Sequence, residues 1–295
     1  MIVHLNGELI PIDQARISPL DRGWLFGDGV YEGLRAFGGR VFAMGHHVRR
    51  MCEGLASCRI GWDAAALAPL SDELLRANGL TDAFLYWQVT RGTPRPGQPV
   101  RARLPAHGMQ PTVFGYCLPT QRLDAYPPIP TKSAAIVEDL RWHRGLIKST
   151  SLLGNVLATI DADEAGAEDA ILVRNGLVAE ATSANVLLAL PRAGGVTELV
   201  TPDLESVSIL AGVTRRVLLE SDLGIVERPV PLEELHAASE IMILGTLSMV
   251  TSITRLDGRA VGDGAAGPAA ERVMRALLGL IATDSQLAAG SGSCR

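Results

Sequence analysis

The sequence predicts an α+β fold in two domains, and three observations carry that expectation. The pairs Asn6-Gly7, Gly38-Gly39, Asn175-Gly176 and Asp257-Gly258 each stand between apolar, strand-like runs, as tight antiparallel hairpins require. Between them lie segments with helical apolar spacing, two of them closed by Gly79 and Gly166, where a left-handed residue belongs after a helix. The prolines Pro119, Pro127, Pro128 and Pro130 crowd into residues 119–130 and interrupt both patterns. A chain of 295 residues is long for one core and suits two.

Taken in order, the chain opens as a hairpin, with Ile2, Val3 and Leu5 before Asn6-Gly7 and Leu9 and Ile10 after it. A second hairpin joins 31–37 to 40–44. Segments 46–60 and 63–78 read as helices, followed by strands at 84–90 and 112–118 around a loop rich in Pro, Gly and Arg. Residues 1–118 are thus the first domain, 119–130 the linker and 131–295 the second domain. In the second domain 134–140 reads as a strand, 151–165 as a helix, and 170–173 and 177–190 as the arms of a hairpin. A helix at 212–221, a strand at 240–244, the turn at Asp257-Gly258 and a helix from 268 to about 281 complete it. The tail, about 285–295, is expected to be disordered from its Gly and Ser content. Hairpins mixed with helices disfavour a doubly wound parallel sheet.

Composition excludes several classes. With 27 basic against 32 acidic residues the net charge is -5, which is wrong for a nucleic-acid binder. No run of 18 apolar residues exists to span a membrane, and the start lacks a signal-peptide pattern, so the expectation is a cytoplasmic protein without membrane partners. Cys52, Cys58, Cys117 and Cys294 contain no CxxC pair, and no metal site is expected. Motifs for P-loops, zincins and GxSxG hydrolases are absent.

One count is informative. Of the 27 basic residues only Lys132 and Lys148 are lysines. Arg replaces Lys on most surfaces but cannot form a Schiff base, because guanidinium stays protonated. Each remaining lysine is therefore a candidate nucleophile, although alone the ordinary reading is a solvated side chain. Lys148 falls between an expected strand and an expected helix, where a side chain can enter a cleft from a fixed backbone. Glu180 lies on a largely apolar strand, so it either pairs with a cation, serves chemistry or faces water at an edge. Gly212, Val213 and Thr214 open a helix whose free N–H groups suit a phosphate, and Thr246 after a strand adds a hydroxyl. Arg50 adds a cation. Lysine, strand carboxylate and phosphate ligands together are the requirements of pyridoxal 5′-phosphate.

The motifs DRGWLFGDGVYEGLRAF at 21–37, HHVRRM at 46–51, VEDLRWHRGLIKSTSLLGNVLA around Lys148, EATSANV at 180–186, ILAGVTR at 209–215 and GTLSMVTSI at 245–253 occur in this order. In them the chain resembles the class IV, fold-type IV pyridoxal-phosphate-dependent aminotransferases from Leu5 to about Leu278. The resemblance implies two α/β domains with the cofactor between them and a homodimer whose partner completes the site. It implies Lys148 as the Schiff-base lysine and Glu180 as the carboxylate on the pyridine nitrogen. Arg50, Val213, Thr214 and Thr246 match phosphate ligands, Leu210 packs on the ring, and Tyr31 lines the substrate side. The substrates implied are small amino donors and 2-oxo acids such as pyruvate or 2-oxoglutarate.

Within the family the Lys148 segment and YWQVTRGTPR at 86–95 look most like D-amino-acid aminotransferases, with D-alanine the expected donor. Leu153 stands where branched-chain enzymes usually carry tyrosine, yet EGLRAF with Arg35 looks more like that group. The D-amino-acid enzymes carry Arg-x-His in the carboxylate loop, whereas this chain reads Arg95-Pro96-Gly97. Arg35 and Arg95, the latter reaching across a dimer, are expected to bind the substrate carboxylate. The alternatives are an R-selective amine or branched-chain L-amino-acid transaminase, and a lyase similar to aminodeoxychorismate lyase.

Overall fold

The computed structural model describes residues 1–126 and 128–284, so the tail expected to be disordered lies outside the described residues. Its strands are β1 (Ile2–Leu5), β2 (Glu8–Pro11), β3 (Gly29–Phe37), β4 (Arg40–Val41), β5 (Ala83–Thr90), β6 (Thr112–Pro119), β7 (Thr131–Glu138), β8 (Asp169–Arg174), β9 (Leu177–Ala181), β10 (Asn185–Pro191), β11 (Thr197–Pro202), β12 (Val226–Arg228), β13 (Glu240–Gly245), β14 (Met249–Leu256) and β15 (Arg259–Ala260). The helices are α1 (Arg22–Phe26), α2 (Met44–Cys58), α3 (Leu67–Asn78), α4 (Leu153–Glu164), α5 (Val213–Leu219), α6 (Leu232–Ala237) and α7 (Pro268–Asp284). At all four expected hairpins both turn residues have positive φ, the geometry for which Asn, Asp and Gly are suited.

The chain divides into two compact units. The first comprises Met1–Leu123, Ile147–Leu152 and Asp284; the second comprises Asp124–Leu146 and Leu153–Thr283. The division falls inside the proline-rich stretch. Residues 147–152, which the sequence reading placed in the second domain, group instead with the first unit. The cause is backbone pairing: Tyr31 N–H donates to the Lys148 carbonyl at 3.0 Å and Thr150 N–H to the Gly29 carbonyl at 3.1 Å.

The first unit is built on a six-stranded antiparallel sheet in the order β2-β1-β6-β5-β3-β4. One face carries Val30, Leu34, Ala36, Leu85, Trp87 and Val89, which pack with Val48, Met51 and Leu55 of α2 and with Leu74 of α3. Gly54 lets α2 approach closely, since a Cβ there would lie 3.3 Å from the Val30 side chain. The opposite face carries a row of stacked rings, Tyr31 on Tyr86 and Tyr86 on Tyr116, at 5.6 and 5.2 Å between centroids.

The second unit has a nine-stranded mixed sheet in the order β12-β11-β10-β13-β14-β7-β8-β9, with β15 on β14. β9 pairs β8 on one side and β10 on the other, the latter through Glu180 opposite Asn185. The strands β10, β13, β14, β7, β8 and β9 thereby form a closed ring, and Glu180 and Asn185 sit at its seam. The segment 177–190, expected as one strand, divides into β9 and β10 because the chain turns at 182–184. There Ala181 N–H reaches the Ala184 carbonyl and the Thr182 hydroxyl bonds Asp169 Oδ1 at 2.6 Å.

Candidate active site

In the first unit the period of two along β3 turns Glu32 toward α2 and Tyr31 to the other face. Glu32 is wholly buried, and α2 answers it with residues one turn apart on the same side. Arg50 forks onto it, Nε to Oε1 and Nη2 to Oε2, both at 2.7 Å. His47 Nδ1 lies 2.7 Å from Oε2 and must carry the proton, since an ionised carboxylate only accepts. Burial alone would raise the Glu32 pKa, but the charge and hydrogen bonds of Arg50, with those of His47, hold it at about 2. Burial lowers His47, Glu32 opposes this, and the charges of Arg50 and Lys148 push it further down, so the imidazole is neutral at pH 7.

Lys148 follows from the same strand. Its carbonyl is pinned by Tyr31 N–H, Ser149 bridges Val30, and the Thr150 hydroxyl donates to the Gly27 carbonyl at 3.0 Å. Its Nζ lies 4.2 Å from the centroid of the Tyr31 ring. Gly29 is required for this pairing, because a Cβ there would meet the Val89 carbonyl at 2.9 Å. The other lysine is committed elsewhere: Lys132 Nζ forms an ion pair with the buried Asp169 at 2.9 Å. The two lysines that scarcity alone left as candidates thus have different settings.

In the second unit Glu180, buried at the seam, accepts three hydrogen bonds. Arg141 Nη1 donates to Oε1 at 2.8 Å, while Asn185 Nδ2 and Leu210 N–H donate to Oε2 at 3.2 and 3.1 Å. Asn185 also donates to the Leu210 carbonyl at 2.9 Å and opposes Leu244 of β13. It therefore ties together the segments that carry Glu180, Leu210 and Thr246, which lies in the turn after β13. Val213 and Thr214, both buried, open α5, and no side chain caps its first turn. Gly212 precedes them, and a Cβ there would collide with Asn185 Oδ1. Arg141 is itself held by Asp139, through Nε to Oδ1 at 2.8 Å and Nη2 to Oδ2 at 2.9 Å. Burial would raise the Asp139 pKa, but the bonds and charge of Arg141, with Arg174 beyond, keep it below the usual carboxylate range.

The two arginines expected at the substrate differ in setting. Arg35 is buried on β3, donates Nη2 to the Gln121 carbonyl at 2.9 Å and lies over the Phe37 ring. Arg95 is exposed in the loop between β5 and β6, where Nη2 donates to the Gly108 carbonyl at 2.8 Å. That loop is anchored by the buried Arg22, which donates to the Ala102 and Arg103 carbonyls and pairs with Asp28.

Four residues were missed by sequence reasoning: Glu32, His47, Arg141 and Asn185. A carboxylate inside an apolar strand signalled Glu32, and the spacing of His47 and Arg50 signalled one helix face. Nothing local signalled Arg141, whose partner is 39 residues away. Among the described residues no cluster of three or more His, Cys, Asp or Glu suits a metal, and no helix is long and apolar enough to cross a membrane.

Residues 29–256 match the family model for amino-transferase class IV. The D-alanine aminotransferase of Bacillus licheniformis is 36% identical over 292 residues, covering 97% of this chain and 99% of the relative. That of Staphylococcus haemolyticus is 33% identical, covering 90% and 93%. Among solved structures, the branched-chain aminotransferase of Thermoproteus uzoniensis with norvaline superposes with a TM-score of 0.82 at 27% identity, covering 97% of each chain. The chain belongs to the class IV aminotransferases, the pyridoxal-phosphate-dependent transferases that carry amino groups between amino acids and 2-oxo acids. Each unit carries residues of the types that cofactor needs: in the first an amine at Lys148 and a forked cation at Arg50, in the second a carboxylate at Glu180, the hydroxyls of Thr214 and Thr246, and the uncapped start of α5.

Proposed function

We propose that this enzyme takes its amino group from a small D-amino acid, D-alanine first, and passes it to pyruvate or 2-oxoglutarate. The observation that carries this reading is the near full-length likeness to D-alanine aminotransferases at 33 to 36% identity. Bound pyridoxal phosphate supplies an aldehyde for the amine and an electron-accepting ring. Lys148 would be the attachment point for that aldehyde, and its amine would carry the proton from the donor α-carbon. Arg50 holds the phosphate, with Val213, Thr214 and Thr246 adding N–H and hydroxyl donors. Glu180 would face the ring nitrogen, Leu210 would pack on the ring, and Tyr31 would line the substrate side. The exposure of Arg95 favours it over the buried Arg35 as the carboxylate arginine.

The functional unit in this reading is a homodimer. α4 buries Ala158 and Ala162 but exposes Leu153, Val156, Leu157 and Ile160, a second apolar face that needs a cover. A cytoplasmic location belongs to the same reading, and cell fractionation tests it. A branched-chain L-amino-acid preference is the second reading, favoured by the likeness to the Thermoproteus structure. A donor screen with D-alanine, L-leucine and both enantiomers of 1-phenylethylamine decides between them. Faster turnover of D-alanine is expected, with Arg95→Ala raising its KM more than that of the amine; faster L-leucine turnover reverses the assignment. Pyruvate released without an amino acceptor would instead mark a lyase.

A further inference from the structure

We propose that Arg141 is a positioning residue that sets how much negative charge Glu180 presents to the ring nitrogen, and thereby how firmly that nitrogen holds its proton. The inference rests on the reading of Glu180 as the ring-nitrogen carboxylate. Arg141, Asn185 and the Leu210 amide all donate to the Glu180 carboxylate, and of these Arg141 is the charged one. The pair is largely buried on both sides, so solvent screens it weakly.

The surroundings hold Arg141 in place. Asp139 binds it with both oxygens, and Arg174 of β8 pairs with the same Asp139 at 3.0 Å. Arg174 also donates to the Arg141 carbonyl at 2.8 Å, and its Nη1 lies 3.2 Å from His143 Nδ1. Asp139, Arg174 and His143 are the charged and titratable neighbours that hold Arg141 from behind, while Asn185 and the Leu210 amide are neutral dipoles on Glu180. Two guanidinium charges stand against the carboxylates of Asp139 and Glu180. Glu180 is thus paired and aimed before any ligand arrives, and part of its field is already taken by Arg141.

A cation a few ångströms behind the carboxylate lowers the proton affinity of a base in front of it. Replacing Arg141 by a neutral residue removes that opposition and raises the pH at which the ring nitrogen loses its proton. The expected size is about one pH unit or more, a roughly tenfold or greater change in proton affinity. Asp139 retains Arg174 in such a variant, and Glu180 keeps its donors from Asn185 and Leu210.

The test is a pH titration of holoenzyme reconstituted with pyridoxal phosphate labelled with 15N in the ring, read by the chemical shift of that nitrogen. Arg141→Met is expected to raise the midpoint by about a unit or more, and Arg141→Lys to keep it near the parent value. Arg141→Gln is the substitute should the methionine variant fail to fold. An unchanged midpoint in the neutral variants overturns the proposal, as does an equal shift in Arg141→Lys, which would make geometry rather than charge responsible. Glu180→Gln runs in parallel and is expected to lower the midpoint. If it leaves the midpoint unmoved, the reading of Glu180 fails independently of Arg141.

Discussion

The two units each build a buried arginine–carboxylate pair, with the roles reversed. In the proposed reading Arg50 of the first faces the cofactor with Glu32 on β3 behind it, and Glu180 of the second faces it with Arg141 behind. Their burial is similar, so burial does not distinguish them. What differs is the support. Glu32 holds both Arg50 and His47, whereas Arg141 keeps Asp139 when Glu180 is changed. The first cluster is therefore expected to be brittle in stability, and the second to be sensitive in rate.

The largest effect sharpens which lysine both clusters serve. Lys148→Ala is expected to abolish transamination, a loss of at least roughly 10²–10⁴-fold from proton transfer alone, while Lys132→Ala retains most activity. Steady-state rates check this, and normal turnover by Lys148→Ala would remove the lysine from the site.

The contrast in stability comes next. Glu32→Ala leaves the Arg50 guanidinium buried without its fork, which costs about 3–5 kcal/mol of folding stability. Glu180→Gln should cost distinctly less, because Arg141 remains bound to Asp139. Urea unfolding of the apoenzymes measures both, and equal losses would break the comparison. Glu180→Gln should instead lower kcat by about tenfold to a hundredfold, for one charge-assisted contact of roughly 1.5–3 kcal/mol. A kcat equal to the parent value would place Glu180 away from the ring.

The acid limb of stability distinguishes the clusters further. His47 is lowered from 6.5, so below that pH the unfolded chain takes up the proton that the buried ring refuses, and stability falls as pH falls. Glu32 is lowered from 4.5 to about 2, so its contribution is complete above 4.5 and is lost as pH drops toward 2. His47→Gln is expected to flatten the loss that begins near 6.5, and Glu32→Gln the loss below 4.5, in unfolding measured against pH. The smallest effect is on binding: Thr214→Val or Thr246→Val should weaken pyridoxal phosphate by about 0.5–1.5 kcal/mol, less than Arg50→Ala, by equilibrium titration. Equal losses would show that Arg50 does not dominate phosphate binding.

Much of this molecule was determined by sequence alone, because its signals are local. Asn-Gly, Gly-Gly and Asp-Gly turns need φ that few residues adopt, so four hairpins were readable within two residues each. Scarcity of lysine narrowed the nucleophile to two positions, and the motif order supplied the family. The tertiary structure decided the rest, because buried charges choose partners across distances that no local pattern encodes. Only the closure of the second sheet sets Glu180 opposite Asn185, and only the fold carries Arg141 to it across 39 residues. Likewise, the pairing of residues 149–150 with β3 places Lys148 over Tyr31, while Asp169 claims Lys132. The groups proposed to meet the cofactor and substrate are written in motifs; the groups that charge and aim them follow from burial, where an unpaired ion costs too much to stand alone.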